Sequence, residues 1–124
     1  MCQLAISTLP LHIASHVELN PIEILRQGPS YAIDTVEAIC STYPDDKIFL
    51  IMGADAYSKI DQWHRGDELH DLVSIISVNR PGFAPHGIDI AALDVSATAV
   101  RAGLSTAVPE IVAAFMRENS LYAN

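Results

Sequence analysis

Positive charge is scarce in this chain of 124 residues: seven Lys and Arg stand against fifteen Asp and Glu, a formal net charge of −8. A broad nucleic-acid surface needs a basic stripe, so that class of partner is excluded. One or two arginines at a helix start still suffice for a small anionic ligand. Cysteine is almost absent. Cys2 and Cys40 are too few and too isolated for a disulfide framework or a zinc site, which points to a reducing compartment. No apolar run approaches the roughly 18 residues of a membrane span, and the opening MCQLAISTLPLHIA lacks the basic start of a signal peptide. The expectation is a cytoplasmic protein with neither a membrane nor a nucleic-acid partner. Neither a GxxxxGK[ST] loop nor a Ser-His-Asp order is present. What is abundant is apolar material, 50% of the residues against 18% charged, enough for a core in one domain spanning 1–124.

Apolar periodicity then suggests the elements. Residues 1–8 read as a short helix without a cap. In 11–19, Leu11, Ile13, Val17 and Leu19 alternate with His12, Ala14, His16 and Glu18, the period of a half-buried strand. Gly28-Pro29-Ser30 is a turn, with Ser30 as N-cap of a helix over 31–41 that buries Ala32, Val36 and Cys40. The unbroken run 48–52 has the pattern of a parallel strand covered on both faces. Asp67 caps a short helix to Leu72, 73–78 is another buried strand, 88–95 a further one, and Pro109 opens a last helix to about Asn119. Strands alternating with helices imply an α/β fold with an open parallel sheet.

In such sheets ligands sit beyond the carboxyl ends of the strands. Gly53-Ala54-Asp55 follows the 48–52 strand directly. Gly53 would admit a ligand close to the backbone, and Asp55 could accept from ribose hydroxyls or simply cap the next helix. In VSATAVR, Ser96, Thr98 and Arg101 could seat a phosphate at a helix start, or form a serine cap followed by a surface arginine. Trp63, the one tryptophan, lies in a polar loop and either stacks on a planar ring or plugs the core edge. His12 and His16, on a strand, would be about 13 Å apart, too far to share a metal. His64 and His70 read as surface histidines.

Four motifs, in order, resemble bacterial nicotinate mononucleotide adenylyltransferases of the HxGH nucleotidyltransferase superfamily. GPSYAIDTV (28–36) is similar to GPSYTxDTL, and IMGADAYSKIDQWHR (51–65) to IxGxDxxxxxxxWxx. VNRPGF (78–83) is similar to xxRPGY, and LDVSATAVR (93–101) to LxISSTxIR; the closing VPEIVAAFMRENSLY also resembles the family's last helix. The resemblance implies a Rossmann-like nucleotidyltransferase fold. It also implies transfer of AMP from ATP, with Mg²⁺, to nicotinate mononucleotide, giving deamido-NAD and pyrophosphate. Ser96, Thr98 and Arg101 would then hold the triphosphate, and Gly53 and Asp55 the adenosine. Tyr31, Ala32 and Ile33 would lie near the pyridine, with backbone N–H groups on its carboxylate. Trp63 would stack on the ring, and the His64 backbone would help hold the carboxylate.

The sequence departs from the family in two places. Ala32 stands where the family has Thr, and the opening GGTFDPxHxGH segment is not among these residues. The chain is therefore expected to be an N-terminally incomplete member, missing the first strands, with little transfer activity alone and an apolar strand edge that favours homo-oligomers. The alternatives are a non-catalytic nucleotide-binding remnant, or transfer to another phosphate acceptor such as phosphopantetheine. GPSY and Trp63 count against the second.

Overall fold

Two short segments, the apolar FLIMG and the Ile- and Val-rich SIISV, form the sheet. In the computed structural model, which describes residues 1–83 and 87–122, β1 (Phe49–Gly53) and β2 (Ser74–Val78) pair in parallel. The register sets Phe49 against Ser74, Ile51 against Ile76 and Gly53 against Val78. A parallel pair needs a long crossover. It is built from α5 (Ala54–Tyr57), a 3₁₀ turn (Ile60–Gln62) and α6 (Leu69–Leu72). The protein is thus mixed α/β around a small parallel sheet.

The chain divides into two compact units, Pro21–Asp94 and Met1–Asn20 with Val95–Asn124. In the first, α3 (Ile22–Leu25) and a turn at Gly28 (φ +83°) lead into α4 (Ala32–Thr42). Its core joins Ile33 and Val36 of α4 to Met52, Ile60, Leu69 and Val73, with Ala32, Cys40, Leu50 and Trp63 packed around them. The expected stripe of Ala32, Val36 and Cys40 faces this core, but Ile33 is its most enclosed α4 residue. β1 is not covered on both faces. Leu50 and Met52 turn toward the helices, while Phe49 and Ile51 are 50% and 66% exposed, because the core cluster lies on one side only.

Three further expectations for this unit are corrected. Ser30 does not cap α4: Tyr31 holds the N-cap position, and the Ser30 hydroxyl is taken by the Arg26 guanidinium. Asp67 gives α6 no side-chain cap; Glu68 precedes the helix, and only the Asp67 carbonyl takes part, accepting from His70 N–H. Residues 88–95 form no strand beyond a single bridge between Val78 and Ile88. There the Asp89 carboxylate accepts the Ala91 N–H at 2.9 Å, and Ala91 adopts φ +49°, which breaks any extended run.

In the other unit α1 (Cys2–Ile6) packs against α8 (Glu110–Glu118), which follows Pro109 as expected and buries Val112. The alternating stretch 11–19 is not a strand. It starts with a helical turn, α2 (Leu11–Ala14), because the Pro10 carbonyl accepts from both Ile13 and Ala14 N–H and no strand among the described residues lies alongside to complete a ladder. Leu11 is 84% exposed. The His16 ring Nδ1–H donates to the His12 carbonyl at 3.0 Å, so these histidines stand one helical turn apart and not at strand spacing. After α7 (Ala97–Arg101), Gly103 at φ +70° lets Leu104 N–H reach the Ala99 carbonyl at 2.8 Å, a left-handed stop that glycine supplies without strain.

Candidate functional site

A cleft of about 450 Å³ in the Pro21–Asp94 unit is walled by Glu23, Ser30, Tyr31, Ala32, Trp63 and His64. Two sequence segments thirty residues apart therefore meet in one place, because the 3₁₀ turn and α4 share a core through Ile60, Ile33 and Val36. The Tyr31 and His64 rings lie 4.3 Å apart, tilted by 33°, across this opening. Trp63 is half-buried, one side against the core and one in the cleft. Ile33 differs: the whole residue is enclosed in the core, and it is not among the residues that line the cleft. The first N–H groups of α4 have no acceptor within the helix. Of these first residues Ala32 lies in the cleft wall, at the positive end of an eleven-residue helix dipole.

Behind the walls stand two arginines that sequence reasoning missed. Arg26 Nη1 donates to Ser30 Oγ and, at 3.2 Å, to Thr35 Oγ1, whose hydroxyl donates to Glu23 at 3.0 Å. Arg65 Nε and Nη2 grip both Glu68 oxygens at 2.8 and 2.6 Å, and Nη2 also reaches Glu37 of α4 at 2.7 Å. The hydrogen bonds to Glu68 and then Glu37 push the Arg65 guanidinium further above its ordinary value, and Arg65 holds the Glu68 carboxyl below the ordinary range. The spacing of Arg65 and Glu68, three residues apart, was a readable signal for this pair. The contact with Glu37 was not, because it spans 28 residues of sequence.

Gly53 and Asp55 lie where β1 passes into α5, at the carboxyl end of the sheet. Asp55 does not cap α5. Its Oδ1 stands 3.9 Å from Nε of Arg80, which follows β2. The space that a side chain on Gly53 would fill is taken by Asp55 and, at 2.8 Å, by Arg80 Cδ.

In the other unit Ser96 is the N-cap of α7, and its Oγ accepts the Ala99 N–H at 3.1 Å. A hydroxyl has two lone pairs and one proton, so this cap leaves the O–H free to donate. Cap and anion seat are compatible in one residue. Thr98 is exposed on the first turn, and Arg101, at the helix end, lines a cleft of about 510 Å³ with Val100, Thr106 and Met116.

No family model matches the chain. It is 34% identical to a nicotinate-nucleotide adenylyltransferase of Bacillus subtilis, over 98% of this chain and 68% of that one. It is 34% identical to a probable nicotinate-nucleotide adenylyltransferase of Bacillus pumilus, over 86% and 63%, and 35% identical to one of Saccharopolyspora erythraea, over 85% and 57%. The chain thus spans about three-fifths to two-thirds of the length of the curated relatives it matches.

Proposed function

Because the chain belongs to the family of nicotinate-nucleotide adenylyltransferases, we propose that it binds nicotinate mononucleotide and ATP for adenylyl transfer in NAD biosynthesis. An oxygen of the nucleotide's 5′-phosphate forms a bond to the α-phosphorus of ATP. The bond to the β-phosphate breaks, and pyrophosphate leaves with the electron pair. No protein nucleophile is needed; the protein's work is alignment and charge neutralisation. Mg²⁺ would come with the ATP substrate and would neutralise phosphate charge. Among the described residues no group of three or more His, Cys, Asp or Glu is gathered to hold an ion by itself. No helix among the described residues is long and apolar enough to cross a membrane, and the proposed setting is the cytoplasm.

The observation that carries this reading is the cleft joining Tyr31, Ala32, Trp63 and His64. A flat ring entering it would lie against Trp63, with its carboxylate assigned to the backbone N–H groups at the start of α4, Ala32 and Ile33, and to the His64 backbone. Nicotinate offers that combination of flat ring and carboxylate. Gly53 and Asp55 are assigned to the adenosine part of ATP. Ser96, Thr98 and Arg101 are assigned to its triphosphate, Ser96 through the proton its capping role leaves unused.

The test is optical, since Trp63 is the sole tryptophan. Nicotinate mononucleotide should quench its fluorescence with saturation, and ATP alone should change it little. Quenching by ATP and none by nicotinate mononucleotide would reverse the assignment of the cleft.

A further inference from the structure

We propose that Arg65 is the positioning residue that sets the width of the cleft between Trp63–His64 and the start of α4. This rests on the function assigned above to that cleft. Arg65 directly follows the two wall residues, and its backbone sits at φ +53°, a region that non-glycine residues occupy only when their surroundings hold them there. The next residue, Gly66, is buried, and a side-chain carbon on it would overlap the Ile60 carbonyl oxygen. Trp63 N–H donates to that same carbonyl at 3.0 Å, and Gly66 N–H donates to the Trp63 carbonyl at 3.0 Å. The inner side of the loop is thus fixed by backbone packing.

Its outer side is held by the guanidinium. One carboxylate, Glu68, belongs to the loop; the other, Glu37, belongs to α4, whose first residues form the opposite wall. Arg65 therefore spans the two walls behind the cleft, as the Tyr31–His64 ring contact spans them in front. Its planar fork engages both Glu68 oxygens while a second N–H of Nη2 reaches Glu37, a geometry that a lysine ammonium reproduces only in part. All three side chains are more than a third exposed, so the pairs add little to global stability. Their effect is on geometry. Without the cation, Glu37 and Glu68 repel, and the loop carrying Trp63 and His64 relaxes away from α4.

The test compares the intact chain with Arg65→Ala, Arg65→Lys and Glu37→Gln. Acrylamide quenching of Trp63 is measured without ligand, nicotinate mononucleotide and ATP are titrated by calorimetry, and thermal melting is followed by circular dichroism. Arg65→Ala should raise the quenching constant about twofold and weaken nicotinate mononucleotide binding about tenfold, through lost preorganisation, with ATP binding and melting nearly unchanged. Glu37→Gln should move both readouts the same way by less, and Arg65→Lys should restore part of the loss. Unchanged Trp63 quenching in Arg65→Ala and Glu37→Gln would overturn the proposal, as would equal losses for both ligands with lowered melting. Should Arg65→Ala fail to fold, wild-type quenching in Glu37→Gln overturns it by itself. If the wild-type chain ignores nicotinate mononucleotide, the cleft's assigned function fails, while the quenching comparison still decides whether Arg65 holds the loop.

Discussion

Replacing Ile33 with alanine separates what its side chain does from what its backbone does. The side chain is fully enclosed at the first turn of α4, in one core cluster with Val36, Ile60 and Leu69, while its N–H is assigned in the proposal to the ligand carboxylate. Truncating an enclosed isoleucine to alanine costs about 2–5 kcal/mol, part lost transfer energy and part unfilled cavity. Neighbours on a helix, a 3₁₀ turn and a second helix cannot all collapse inward, which favours about 3–4 kcal/mol, a large share of a total near 5–15 kcal/mol. At about 4–8 °C per kcal/mol for a small domain, melting should fall by more than about 10 °C. Ile33→Val, which keeps the N–H and most of the volume, should cost only about 0.5–1.5 kcal/mol. Its affinity for nicotinate mononucleotide should stay intact at a temperature where it is folded. Urea titrations followed by circular dichroism and by Trp63 emission give both energies. A loss below about 1 kcal/mol for Ile33→Ala would refute the placement of this residue in a closed core, and weaker ligand binding by folded Ile33→Val would refute the purely backbone role.

Gly66→Ala drives a carbon into the Ile60 carbonyl and should destabilise by about 1–3 kcal/mol in the same titrations, with Trp63 emission shifted. Ser96→Ala removes the cap of α7 and should cost about 0.5–2 kcal/mol by urea denaturation. Arg101→Ala should weaken ATP binding about tenfold or more in calorimetry and leave nicotinate mononucleotide unaffected; equal losses would make it a plain surface residue. Acidification should loosen the Arg65 clamp. Glu68 is held below its ordinary value in the folded chain, so its contribution is complete above the unfolded value, near 4.3, and disappears as pH falls through the lower folded value. Acrylamide quenching of Trp63 should therefore rise at a pH below the ordinary glutamate range, and a rise centred at or above it would contradict that order.

Hydrophobic pattern located both strands, because 48–52 is an unbroken apolar run and 73–78 is rich in Val and Ile, and each finds its partner in the other. The same rule failed for 11–19. Alternation marks a strand only where a neighbouring strand completes the ladder, and a proline carbonyl at position 10 instead captures two N–H groups for a helical turn. It failed again at 88–95, where the Asp89 side chain outcompetes extended backbone. The cleft was legible through its motifs, Tyr31 and Ala32 on one side and Trp63 and His64 on the other. The arginines behind it were not, since Arg26 with Thr35 and Arg65 with Glu37 are pairings made by the fold, as is Arg80 with Asp55 at the end of the sheet. Burial of Ile33 in the core likewise depends on how α4 rotates against it, which a motif does not specify.

The Ser96 hydroxyl has a consequence for how a phosphate and a helix would influence each other. One lone pair of that oxygen organises the first turn of α7, and the proton on the same oxygen is what an anion would take. Donating the proton makes the oxygen more electron-rich and a better acceptor for Ala99 N–H, so the two bonds polarise one another in the same sense. Reciprocity then requires that whatever factor an anion adds to the order of α7, the order of α7 adds to the affinity for the anion. A five-residue helix is too short to be stable by itself. Its order would therefore be reinforced by a triphosphate bound as proposed, and amide exchange at Ala99 should then slow as ATP is added.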